Sequence, residues 1–147
     1  MKQIPVGTCV PGPAVDRWLK PLVEGGYECV ALNFHMSLEG TDLKKLAERV
    51  MPYLREKGVA VATLGYYCNP LENAEQRRTL ESVIDAAPLF GAPMVSTFAG
   101  AYEGQPVEKA FPKFGEVFRE LAKRAAGNGP SIAIGSCPMD GVWNRAT

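Results

Sequence analysis

The feature that most constrains this chain is a repeat in which a short run of β-forming residues is followed by a longer amphipathic stretch. The apolar runs begin near residues 4, 28, 59, 93 and 131. The clearest of them, Val59 to Tyr67, is apolar at almost every position. An antiparallel strand with one wet face alternates in polarity, whereas a continuous apolar run fits a strand buried on both faces, as in a parallel sheet. Strands separated by helical segments then require right-handed crossovers, so the expected class is α/β with five parallel strands and four intervening helices.

The helices are legible from their stripes. Between Ala14 and Gly25, Val15, Trp18, Leu19, Leu22 and Val23 fall at helical spacing. Thr41 is the expected N-cap of the next helix, whose inner face is Leu43, Leu46, Ala47, Val50, Met51 and Leu54, with Gly58 closing it. Pro52 lies inside that helix and is expected to kink it. Asn73 to Phe90 turns Leu80, Val83, Ile84 and Ala87 inward, with Pro88 near its end. The last helix runs to about Ala126 with Phe111, Phe114, Val117, Phe118, Leu121 and Ala125 on one side, and Pro112 marks its first turn.

Two architectures fit five such units. A doubly wound open sheet would place a ligand loop at its switch point. The loop after the first strand, Thr8-Cys-Val-Pro-Gly-Pro13, has neither the Ser/Thr-rich character of a flavin phosphate loop nor clustered aspartates, and only Asp140 to Thr147 remain for a closing helix. The alternative is an incomplete (β/α)8 TIM barrel, and this is the favoured expectation. Residues 1–147 are then a single partial domain truncated after strand five, with its first and fifth strands as open edges.

Composition narrows the function. Lys plus Arg and Asp plus Glu are equal at 16 each, so the formal net charge is zero and no basic face is available for nucleic acid. Four cysteines, Cys9, Cys29, Cys68 and Cys137, stand singly, which suits reduced thiols better than disulfides or a zinc site. The N-terminus has no apolar leader and no segment approaches a membrane span, so a cytoplasmic protein without a membrane partner is expected.

The C-terminal ends of the strands should meet at one mouth. There the sequence places Asn33, Phe34 and His35, then Tyr66, Tyr67 and Asn69, then Phe98, Gly100 and Tyr102, and finally Cys137, Asp140, Trp143 and Asn144. Aromatic and amide groups with a single imidazole suit a polyhydroxylated small molecule. His35 is the only histidine; it can polarise a carbonyl or contact a hydroxyl, and Glu39 is a candidate to orient it. Asp140 is either a metal or hydroxyl ligand or a turn-former before Gly141. Cys68 and Cys137 have no base beside them in sequence, and dinucleotide, Walker and zincin motifs are absent.

The segments Ile4-Pro-Val-Gly-Thr-Cys9, Ala31-Leu-Asn-Phe-His35, Leu64-Gly-Tyr-Tyr-Cys-Asn-Pro-Leu71, Ser96-Thr-Phe-Ala-Gly100 and Cys137-Pro-Met-Asp-Gly-Val-Trp-Asn144, in this order, resemble the sugar phosphate isomerase/epimerase family of xylose isomerase-like barrels. The resemblance covers essentially the whole chain but only five of eight strands. It implies a sugar or sugar phosphate substrate and a divalent metal (Mn, Mg or Co) in complete members. It also implies proton transfer beside a carbonyl, with the metal stabilising an enediolate. The substrate contacts expected from the strand-end placement are Asn33, Phe34, His35, Tyr66, Tyr67, Asn69, Phe98 and Trp143. The chain departs from the pattern at Gly135, which stands where the family's strand-five glutamate is expected and has no side chain to ligate or move a proton. His35 is therefore the one catalytic candidate, no metal site is expected in this chain, and the isolated chain is expected to be inactive. Two alternatives remain: a non-catalytic half-barrel that pairs with another chain, including a homo-oligomer formed through exposed sheet edges, and the endonuclease IV-type branch of the fold. Zero net charge and a single histidine speak against the latter.

Overall fold

The computed structural model describes residues 4–135. Five strands, β1 (Gly7–Pro11), β2 (Cys29–His35), β3 (Ala60–Tyr67), β4 (Met94–Phe98) and β5 (Ser131–Gly135), alternate with four helices, α1 (Val15–Glu24), α2 (Leu43–Lys57), α3 (Ala74–Ala86) and α4 (Phe111–Asn128). All neighbouring strands are parallel and their order in the sheet is β1-β2-β3-β4-β5. This order decides between the two expected architectures. A doubly wound sheet reverses direction at a switch point, whereas here each strand is added beside the last. Right-handed crossovers in one direction put every helix on the same side, which is the winding of a barrel. The described residues form the five-stranded part of an incomplete (β/α)8 architecture.

The helix-facing side of the sheet is the core. Val10, Val30, Leu32, Phe34, Val61, Leu64, Tyr66, Val95 and Thr97 are all buried beneath α1 to α4. A register shift between β2 and β3 leaves Ala62 as an extra residue, so Val61 and Leu64 both pair with helix-facing residues of β2. Leu19, Leu46, Val50, Leu54, Leu80, Val83, Ile84, Val117 and Leu121 supply the helical half of the same cluster.

The helix ends follow local chemistry, with departures of a residue or so. The N-cap of α2 is Asp42, not Thr41: its Oδ1 accepts from the Lys44 and Lys45 N–H groups at 3.0 and 3.1 Å. Asn73 caps α3 in the same way, accepting from Glu75 and Gln76. Pro52 lies within an uninterrupted α2 on its exposed face, where the carbonyl left without a donor reaches water. Trp18 is half exposed, with the Arg17 guanidinium 4.8 Å from its ring, and so lies at the edge of the stripe that predicted it buried. The first strand starts at Gly7, three residues later than expected, and Ile4 and Val6 are exposed. Among the described residues no helix is long and apolar enough to cross a membrane.

Candidate functional site

Successive strand residues point to opposite faces, so the side of the sheet away from the helices carries the other half of each strand. The pairings align these residues in rows. The lowest joins Cys9, Ala31 and Thr63, and the Thr63 hydroxyl lies 2.9 Å from the Ser96 hydroxyl. The middle row runs Pro11, Asn33, Gly65, Ser96 and Ala133. The top row, at the C-terminal ends, pairs His35 with Tyr67 and Phe98 with Gly135.

The top row is a file of rings. His35 stacks on Tyr67 with centroids 5.1 Å apart and planes at 22°, and Tyr67 meets Phe98 at 4.8 Å. The file ends at Gly135, beside Phe98. Among the described residues, an added Cβ at Gly135 would have only the Thr97 carbonyl within reach, at 4.0 Å, and the residue is exposed, so neither crowding by them nor a left-handed backbone demands glycine there. The strand-five position is open but carries no functional group.

Beneath the file lies Asn33. Its Oδ1 is buried and accepts no hydrogen bond from the described residues. The amide can lie there because its neighbour on β3 is glycine: a Cβ on Gly65 would overlap Asn33 Oδ1 and come within 2.9 Å of Tyr67 Cε2. Burial raises the Tyr67 phenol above its ordinary pKa, partly opposed by the Ser96 hydroxyl beside it. A buried acceptor without a donor among the described residues is a place where a water, a ligand or another segment can donate.

Of the residues expected at the mouth, Asn33, His35, Tyr67 and Phe98 come together on this open face. Phe34 does not. It is 1% exposed, points to the helices and fills the space left by Gly12, where any Cβ would overlap its ring. Tyr66, also 1% exposed, shares that inner side; its hydroxyl donates to the Met36 carbonyl at 2.9 Å. Both sit one residue out of phase with the ring file. Asn69 acts as a tie between loops. Its Nδ2 donates to Ala101 O at 2.7 Å and to Glu72, while its N–H donates to Gln76 Oε1. Glu39 does not orient His35; its N–H donates to Ser37 Oγ and no hydrogen bond joins the two side chains. Cys68 is sealed beside Thr97, and burial pushes its thiol up to about 12, which leaves it unreactive. Cys137, Asp140, Trp143 and Asn144 lie outside the described residues.

The sequence-based reading missed Ser96, Gly65 and the unpaired state of Asn33. The spacing of two residues between Asn33 and His35, and between Gly65 and Tyr67, was the available signal. For a divalent metal the fit is poor. Among the described residues no three His, Cys, Asp or Glu side chains converge, and the rows of the open face carry one imidazole and no carboxylate.

A family model described as xylose isomerase-like TIM barrel matches residues 19–145. No curated protein matches the chain. Solved structures with the same fold include a xylose isomerase domain protein from Planctomyces limnophilus, at 14% identity and a TM-score of 0.66, where the match covers 88% of this chain and 51% of that one. D-psicose 3-epimerase from Clostridium cellulolyticum H10, solved with D-tagatose, matches at 11% identity and a TM-score of 0.68 over 89% of this chain and 52% of that one. An AP endonuclease, family 2, from Brucella melitensis matches at 16% identity and a TM-score of 0.62, covering 89% and 55%. The chain thus spans about half the length of the solved structures it matches.

Proposed function

Because the chain belongs to the xylose isomerase-like TIM-barrel family, we propose that its open face is the carbohydrate-binding half of an isomerase- or epimerase-type site. The observation that carries this reading is the ring file His35–Tyr67–Phe98 lying above the unpaired Asn33 Oδ1. Aromatic faces cover the C–H surface of a sugar, and a buried amide oxygen accepts from one of its hydroxyls. The Ser96 hydroxyl is a second polar contact in the middle row.

Within the reaction class, these residues bind and orient. His35 donates to a carbonyl oxygen, or donates to or accepts from a hydroxyl, Asn33 fixes one hydroxyl, and the rings exclude water from one side of the substrate. A divalent metal, where family members hold one, would polarise the substrate oxygens, but Gly135 offers it no ligand and the rows of described residues carry no carboxylate. The proposed chain therefore binds a ketose or its phosphate but does not catalyse metal-dependent epimerisation by itself. The AP endonuclease neighbour gives a second reading of the fold, but the net charge of zero and the single imidazole favour a neutral hydroxylated ligand over a phosphate backbone.

The test is titration of the 15N-labelled chain with D-tagatose and with its phosphate. Shifts centred on Asn33, His35, Tyr67 and Phe98 support the reading. Shifts confined to the helices, or none at millimolar sugar, overturn it. Manganese-dependent turnover of the sugar by the purified chain would overturn the assignment of binding without catalysis.

A further inference from the structure

Tyr66 belongs to the helix side, yet its hydroxyl donates to the loop that follows His35. Met36, the residue after His35, has φ of 59°, in the left-handed region that a side chain rarely adopts. The Ser37 N–H donates to the His35 carbonyl at 2.6 Å, closing a three-residue turn around Met36. With positive φ at its centre this is the strained form of the γ-turn. Strained backbone persists only where surrounding structure holds it.

Here consecutive residues of β3 hold it. The Met36 N–H donates to the Tyr67 carbonyl at 2.9 Å, and the Tyr66 hydroxyl donates to the Met36 carbonyl at 2.9 Å. Gln76 adds a long contact from Nε2 to the Met36 sulfur at 3.9 Å, while its Oε1 accepts from the Asn69 N–H. Burial pushes the Tyr66 phenol up to about 12, so the group remains a donor throughout the physiological range. The strained turn follows directly from the residue whose imidazole stacks on Tyr67.

We propose that Tyr66 is a positioning residue, whose hydroxyl reaches from the core side of β3 to hold the Met36 turn and thereby aims His35 into the ring file. This rests on the reading of that file as the ligand face. Phenylalanine at position 66 would keep the ring packing and lose the hydroxyl, freeing Met36 to relax to negative φ. The imidazole would then leave the Tyr67 face.

The experiment uses the full chain, freed of any histidine tag, so that the single histidine gives one set of imidazole resonances. In the unaltered chain the His35 ring protons are expected upfield, shielded by Tyr67. Tyr66→Phe should move them toward their free-histidine positions and weaken D-tagatose binding about five- to tenfold, the worth of one hydrogen bond. Adding Met36→Gly to Tyr66→Phe should restore the upfield shift, because glycine adopts positive φ without strain. A general loss of structure would not be rescued in this way. Unchanged His35 shifts in Tyr66→Phe, or no rescue by Met36→Gly, overturns the proposal. Should Tyr66→Phe unfold, Ser37→Pro breaks the same turn from the loop, by removing its N–H and disfavouring the Met36 conformation. Unchanged His35 shifts in that variant also overturn it. If D-tagatose perturbs nothing in the unaltered chain while Tyr66→Phe still displaces His35, the carbohydrate reading fails and the positioning role stands. If the sugar binds equally well to both proteins with His35 unmoved, the reverse holds.

Discussion

The two faces of the sheet are made from the same five strands, residue by residue in alternation, and differ in almost every property. On the helix side Val10, Val30, Leu32, Leu64 and Val95 are wholly buried and apolar. On the open side Asn33, His35, Thr63, Tyr67 and Ser96 are only partly buried or exposed, and they present amide, imidazole, hydroxyl and phenol groups. On the proposed reading, the division gives stability to one set of residues and recognition to their immediate neighbours. Tyr66 is the exception that connects them, a core residue whose hydroxyl donates to the carbonyl of Met36, next to His35.

Substitutions on adjacent residues test that division. The largest effect is expected from Leu64→Ala on the helix side. Loss of a fully buried leucine should cost about 3 kcal/mol, measured by urea unfolding, with little change in the ligand contacts of the surviving folded fraction. A loss below about 1 kcal/mol would break the comparison. Gly12→Ala comes next. The new methyl overlaps the ring of Phe34, which is buried, and overpacking of this kind should cost about 1–3 kcal/mol.

Asn33→Ala sharpens the contrast from the other face. Deleting a buried acceptor that has no partner among the described residues removes an unfavourable group, so stability should change by less than about 1 kcal/mol. Binding of D-tagatose, followed by calorimetry, should be lost. An Asn33→Ala protein that is strongly destabilised would mean that the amide holds the fold and does not await a ligand.

The smallest effect belongs to neither face of the sheet but to the joint between α3 and α4. Arg124 donates to both Asp85 oxygens, at 2.8 and 2.6 Å, and Asn128 adds a third bond. The Arg124 hydrogen bonds hold the Asp85 carboxyl below its ordinary pKa. A carboxylate with a depressed folded pKa contributes stability that is complete above the unfolded value and is lost as pH falls through the folded one. Asp85→Asn should therefore lower Tm by only about 1–2 °C at neutral pH, because the pair is well solvated. The gap between variant and parent should close as the solution is acidified into the carboxylate range. A gap that widens on acidification would reverse the sign of the argument.

Much of the architecture was legible in the residues. Apolar runs separated by amphipathic stripes specify five parallel strands and four helices, because burial on a parallel sheet and on one helix face leaves unmistakable spacing. The glycine at position 135 was equally plain as the absence of a functional group. What one chain of letters left open was phase. In Ala31-Leu-Asn-Phe-His35 and Leu64-Gly-Tyr-Tyr67 apolar and aromatic residues stand side by side, so no alternation separates the inner from the outer set. Phe34 and His35 looked equally fit for a mouth, as did Tyr66 and Tyr67.

The sequence by itself thus determined the class of fold, the order of its units and the chemical groups available at the strand ends. Only the tertiary structure decided the sheet order that excludes the doubly wound alternative, the face to which each aromatic turns, and the pairing of Asn33 with Gly65 that leaves an amide oxygen without a donor among the described residues. The physical reason is that propensity and burial act within a segment. Register, by contrast, is set between segments, and a shift of one residue exchanges the core with the site.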